Sequence, residues 1–171
     1  MRKRILFIMH LPPPIHGLSM ACDMIRRSVY INEEFDCRYV NLSASRRSDE
    51  VSNYSFFRVL GKVWRFVGSF LRTLWLLVTF KPEVAYLTIT CHGVPFLKDA
   101  PFVLLCKALG CRIVLHQHNK GMAAYADRPI YRKLLRWVYK DSAVILLSWR
   151  LYDDISAVVG REQVKICPNG I

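Results

Sequence analysis

Two stretches of this 171-residue chain carry side chains able to do chemistry. The first is His10-Leu-Pro-Pro-Pro-Ile-His16-Gly17-Leu-Ser19, where a Pro-stiffened loop follows an apolar run. Gly17 lets a ligand approach the backbone ahead of a helix, whose free first-turn amides favour anions. The second is His116-Gln117-His118-Asn119-Lys120. An imidazole near neutrality donates or accepts hydrogen bonds, which suits a sugar hydroxyl or a phosphate. Two imidazoles can also hold a metal, but no third carboxylate or histidine stands near them in sequence, and no metal site is expected. Each stretch has a plainer reading beside the chemical one: a rigid connecting loop for the first, and histidines satisfied by backbone for the second. Neither G-x-G-x-x-G nor G-x-x-x-x-G-K-[ST] occurs, which argues against nicotinamide dehydrogenases and P-loop nucleotidases.

The elements that must position these loops alternate along the chain. Apolar or β-branched runs at 4–10, 37–42, 83–90, 112–115, 143–148 and 164–167 read as strands. Between them, helical patterns run over 20–27, 56–80, 96–109, 130–140 and 149–159. Ser19 takes an N-cap position, Gly110 ends one helix and Pro129 opens another. Residues 43–55 read as a polar loop. Strand and helix in strict alternation imply an α/β fold: a doubly wound, mostly parallel Rossmann-like sheet with helices on both faces. In such sheets ligands collect beyond the C-terminal strand ends, which is where both histidine loops begin.

Net charge of +12 predicts attraction to something anionic. Nucleic acid is not expected, because no zinc-finger, homeodomain or aromatic sheet signature accompanies the charge. The segment 56–80 concentrates the feature: Arg58, Lys62, Arg65 and Arg72 share a helix face among aromatic and aliphatic residues, and no acidic residue lies between Glu50 and Glu83. Charges interrupt it too often for a membrane span. Two readings remain open, a helix lying on an anionic bilayer with those four residues as its membrane contacts, and a covering helix with solvated arginines. The basic cluster around 128–140 either adds to such a patch or is solvated. Six cysteines without C-x-x-C spacing read as buried free thiols, and the absence of a signal-peptide pattern places the chain in the cytoplasm.

Taken in order, Pro14-Ile-His-Gly17-Leu-Ser, Ile113-Val-Leu-His-Gln-His118 and the terminal Ile166-Cys-Pro-Asn-Gly-Ile171 resemble the N-terminal, acceptor-side domain of family 4 glycosyltransferases of the GT-B fold. The resemblance spans nearly the whole chain. It implies a single Rossmann-like domain over 1–171, with the nucleotide-sugar-binding C-terminal domain lying outside this sequence. Gly17 then matches the second glycine of the family's Gly-Gly loop, with His16 in place of the first. His118 matches the histidine that contacts the transferred sugar near its anomeric centre, and Asn169-Gly170 matches the interdomain hinge.

On this resemblance the catalytic residue is His118, and His16, Gly17, Ser19, Asn119 and Lys120 bind substrate. The implied activity is retaining transfer of a sugar from a UDP- or GDP-sugar to a glycan or lipid-linked acceptor in cell-surface polysaccharide synthesis. This domain alone binds no cofactor. The implied partners are the C-terminal domain, the acceptor and an anionic membrane on its inner, cytoplasmic face. The sequence reads as a piece of a longer enzyme, inactive by itself. A competing expectation is a non-catalytic, basic peripheral-membrane or scaffold module on the same core.

Overall fold

The computed structural model describes residues 2–43 and 56–168, with the side chains of 56–59 left aside. The polar loop beyond Ser43 and the Asn169-Gly170 turn lie outside the described residues. The fold is α/β, with a six-strand, all-parallel sheet and helices in the Rossmann-like manner. By packing, the chain divides into two compact units, Met1–Glu83 and Val84–Ile171.

In the first unit, β1 (Arg4–Met9) pairs in parallel with β2 (Asp36–Asn41), Arg4 opposite Asp36 and Met9 opposite Asn41. Leu6, Phe7, Ile8 and Met9 are consecutively buried, the signature of a strand covered on both faces. Helix α1 (Gly17–Arg27) begins earlier than the periodicity suggests. His16, not Ser19, is the N-cap: its imidazole accepts from the Ser19 amide, while the Ser19 hydroxyl accepts from the His16 amide. A histidine filling the Ser/Thr role of a capping box is what displaced the expected start. Near the end of α1, the guanidinium groups of Arg26 and Arg27 close on Asp23, each at 2.7 Å, and the Arg26 hydrogen bond leads in holding that carboxyl below its ordinary range. A short helix not expected from the pattern, α2 (Val29–Glu34), follows at once, capped by Ser28. It buries no residue, so it carries no hydrophobic period to detect. Helix α3 (Phe56–Thr79) runs as expected and stops ahead of Pro82.

The second unit holds β3 (Val84–Ile89), β4 (Arg112–Gln117), β5 (Ser142–Leu146) and β6 (Val164–Ile166), each parallel to the next in that order. Between them lie α4 (Gly93–Ala108), α5 (Ala123–Ala126), α6 (Pro129–Tyr139) and α7 (Tyr152–Ile155). Its core is built on Phe96, Phe102, Leu115, Leu135, Tyr139 and Leu146. Gly110, at φ +80°, ends α4 with two reversed bonds, Gly110 N–H to Lys107 carbonyl and Cys111 N–H to Cys106 carbonyl. That is the Schellman arrangement, which a side chain at Gly110 would strain. The helix expected over 149–159 is instead a 3-10 turn, Trp149–Leu151, and the single turn of α7. There the Ser156 hydroxyl donates to the Asp153 carbonyl and the Tyr152 hydroxyl to that of Val159. Such side-chain bonds compete with the helical ladder.

All six cysteines are free, and Cys22, Cys91, Cys106 and Cys111 are buried. Among the described residues, no helix is long and apolar enough to cross a membrane.

Candidate functional site

In the first unit the loop from β1 to α1 is fastened at its start from the end of β2, where the Leu11 amide donates to Asn41 Oδ1 and the Leu11 carbonyl accepts from the Ser43 hydroxyl, and at its end by its own neighbours. The Ser19 hydroxyl lies 2.8 Å from the Pro14 carbonyl and 2.9 Å from that of His16, and its amide is 3.3 Å from His16 Nδ1. Ser19 is fully buried, whereas His16 and Gly17 are exposed. Ser19 therefore shapes the turn, and His16 and Gly17 form its accessible surface. The space where a Gly17 Cβ would stand is open, and Gly17 is the first residue of the helix, with no acidic side chain in its first turn. The Ser19 amide is already taken by the His16 imidazole, so what the helix start leaves for an anion is the uncrowded surface at Gly17.

In the second unit β4 extends two residues beyond the expected end, so His116 and Gln117 are strand residues and His118 is the first beyond them. His116 and Gln117 are buried, and His118 is half-buried. The rings of His116 and His118 lie 4.1 Å apart, on one side, as for residues two apart along extended backbone. Tyr86 on β3 hydrogen-bonds His116 Nδ1, while His116 Nε2 is buried with no hydrogen-bond partner. Burial first, then the neighbouring His118, pushes the His116 pKa down to about 4. Burial also lowers that of His118. Burial thus favours the neutral form of both rings, and it suits His118 to hydrogen bonding rather than to carrying charge.

The loop that follows is tied down from a distance. The Asn119 side-chain oxygen accepts from the Cys91 amide at 3.3 Å, and its carbonyl accepts from Gln117 Nε2 at 3.0 Å. Gln117 in turn accepts from the buried Tyr139 hydroxyl at 2.8 Å. Asp154 takes the amides of Gly121, Met122 and Ala123 at 2.8, 2.9 and 3.3 Å, which supplies the N-terminal satisfaction that α5 lacks from its own cap. Gly121 has φ +125°, and a Cβ there would stand 2.4 Å from the His92 ring. That ring also stacks on Tyr125, centroids 5.4 Å apart. Lys120 is exposed. Asp99 in α4 is buried and accepts from the Thr90 amide at 3.0 Å, and burial pushes its pKa up to about 6.

The second unit thus brings His118 together with His116, and anchors Asn119 as a structural tie while leaving Lys120 outside it. Sequence reading missed Asp154, Asp99 and His92. Asp154 gives no signal in its own segment, because its ligands lie more than thirty residues upstream. The position of His92 just after β3 was the one legible hint, since it occupies the same end of its strand as His118 does of β4. Shallow grooves around Trp137 and Asp141 open before β5 begins, at the opposite strand ends from His118.

The chain matches no protein-family model and no curated protein. The functional reading rests on the residues themselves.

Proposed function

We propose that this chain is the acceptor-side half of a retaining, nucleotide-sugar-dependent glycosyltransferase, acting in the cytoplasm on a glycan or lipid-linked acceptor. One observation carries the reading: a half-buried imidazole directly beyond the C-terminal end of a parallel strand, 4.1 Å from a second, buried one, in surroundings that disfavour its charged form. A neutral imidazole accepts or donates a hydrogen bond to a sugar hydroxyl without adding a full charge beside an oxocarbenium-like carbon. A cation there would oppose the positive charge that develops as the glycosidic bond to phosphate lengthens. The fold class and the uncrowded surface at Gly17 support the same reading.

The division of labour follows from the chemistry. Negative charge builds on the leaving diphosphate, so helix amides and cations must face it in a space closed to water. His16 and Gly17 contribute exposed backbone and imidazole, His118 contacts the transferred sugar, and Lys120 offers an exposed ammonium for acceptor or phosphate. Asn119 and Ser19 position these groups through the bonds described above. The nucleotide-sugar itself would be held by the C-terminal domain that the resemblance implies.

The test is transfer by the full-length protein from UDP- and GDP-sugars to polyprenyl-phosphate-linked acceptors. His118→Ala is expected to lower kcat by about tenfold or more, the scale of one positioned transition-state contact, with far-UV circular dichroism unchanged. Unchanged turnover would remove His118 from the reaction. Absence of transfer from any nucleotide-sugar, with the wild-type protein folded, would instead favour a non-catalytic module.

A further inference from the structure

Helix α3 presents apolar side chains in two directions. Thr73, Leu76 and Leu77 are buried, and the Ser69 hydroxyl donates to the Asn41 carbonyl of β2 at 3.0 Å. That side is the packed one. On the other, Trp64, Val67, Leu71, Leu74, Trp75 and Val78 recur at steps of three and four and are all exposed. Trp64 is 68% exposed, Trp75 62% and Leu71 57%. At 1.5 Å per residue, the stripe from Trp64 to Val78 is about 21 Å long. Isolated exposed apolar residues are ordinary, but a continuous stripe with two tryptophans marks an interaction surface.

Two glycine–arginine pairs fall beside this stripe in the sequence of α3. Gly61 stands four residues before Arg65, and Gly68 four before Arg72. Helical side chains lean toward the N-terminus, which brings Arg65 back over Gly61, while the space over Gly68 is open. The Arg65 guanidinium is in fact 4.0 Å from where a Gly61 Cβ would be. Arg72 stands about 60° round the helix from Trp75, close enough for its long stem to follow the apolar edge. Arg72 is exposed and Arg65 half-buried, while Lys62 falls toward the packed side.

We infer that the exposed face of α3 docks on an anionic lipid bilayer, with Trp64 and Trp75 in the interfacial region and Arg65 and Arg72 on lipid phosphates. The charge decides the occupant. No acidic residue occurs between Glu50 and Glu83, and the whole chain carries +12. Pairing this stripe with a second copy would set arginine against arginine with nothing to neutralise them, as the flanking charges of paired helices require. An anionic surface supplies that countercharge along the whole stripe. Two roles emerge that the sequence alone left merged: the apolar stripe inserts, and only part of the cationic set borders it.

The test is co-sedimentation of the full chain with vesicles of phosphatidylglycerol and phosphatidylcholine, against phosphatidylcholine alone. Wild-type protein is expected to partition to the anionic vesicles and little to the neutral ones. Trp64→Ser with Trp75→Ser should weaken binding by about tenfold or more, as loss of two interfacial anchors implies. Arg65→Gln with Arg72→Gln should weaken binding to anionic vesicles by about tenfold and leave the neutral ones unchanged. All four positions are solvent-exposed or half-buried, and circular dichroism checks that the variants fold. Equal binding by wild type and both variants overturns the inference. So does a concentration-dependent dimer in light scattering that the tryptophan substitutions dissolve while vesicle binding stays absent. Neither readout depends on sugar transfer, so this surface and the proposed reaction stand or fall separately.

Discussion

The two histidine-bearing loops, one in each unit, are held by different means. The loop after β1 is tied to Asn41 and Ser43 only at its start, through Leu11, and its histidine end is closed by residues three to five positions apart: His16 and Ser19 cap one another, and Ser19 reaches back to Pro14. The loop after β4 is held by residues about thirty positions away, Cys91 on one side and Asp154 on the other. A locally closed turn can form as soon as its helix does. A remotely tied loop exists only once the unit has packed, and it is then pre-organised for a ligand. The difference teaches where rigidity is placed: around His118, the group read as touching the transferred sugar.

Removing the remote tie should have the largest effect. Asp154→Ala strips the acceptor from three amides, and each buried amide left unsatisfied is costly. A loss of about 3 kcal/mol in urea unfolding is expected, discounted for amides that water can reach. Amide hydrogen exchange should accelerate at Gly121 and Met122 but not at Ser19. Equal acceleration in both loops would mean that the two are not separately held.

Acid titration sharpens the comparison within the second unit. His116 has its folded pKa depressed from 6.5 to about 4, so the unfolded chain binds the proton first, and stability falls as pH drops from 6.5 toward 4. Asp99 has its folded pKa raised from 3.8 to about 6. Its contribution has the opposite sign: stability is gained as pH falls through 6 and is lost as pH rises through that value. Each shift is worth roughly 3 kcal/mol at 1.36 kcal/mol per unit, so the two largely offset between pH 6 and 4. Asp99→Asn removes one side of the balance. Its stability should then decline by about 2–3 kcal/mol between pH 7 and 4, more steeply than in the wild type. Parallel curves for the two proteins would show that one of the groups does not titrate as its burial implies.

The smallest effect is expected in the local loop. Ser19→Ala removes half of a capping box and should cost about 1 kcal/mol, with the fold and the His118 environment unchanged. A much larger loss, or an altered His118 resonance, would show that the capped, His16 end of the loop after β1 is more than locally held.

Much of the architecture was legible because it follows from short-range rules. Consecutive burial of β1 shows in its unbroken apolar run, the Schellman end of α4 in Gly110, and the opening of α6 in Pro129. The position of His118 at a strand end was legible for the same reason. The capping histidine was not, because imidazole rarely plays serine's part. Helix α2 escaped because it buries nothing, and the segment after β5 misled because its polar side chains bond to backbone instead of leaving the helix to form.

What the sequence by itself determined is therefore the succession of strands and helices, the strand ends at which the histidines stand, and the absence of acid from α3. Each depends on residues within a few positions of one another. Tertiary structure alone decided that Asp154 holds the loop beside His118, that His92 lies over Gly121, and which side of α3 remains exposed. A hydrophobic period says that a helix has an apolar face, but only the packed chain shows how much of it the core covers. In α3 two apolar directions exist, and the packing of Thr73, Leu76 and Leu77 inward leaves the tryptophans outward.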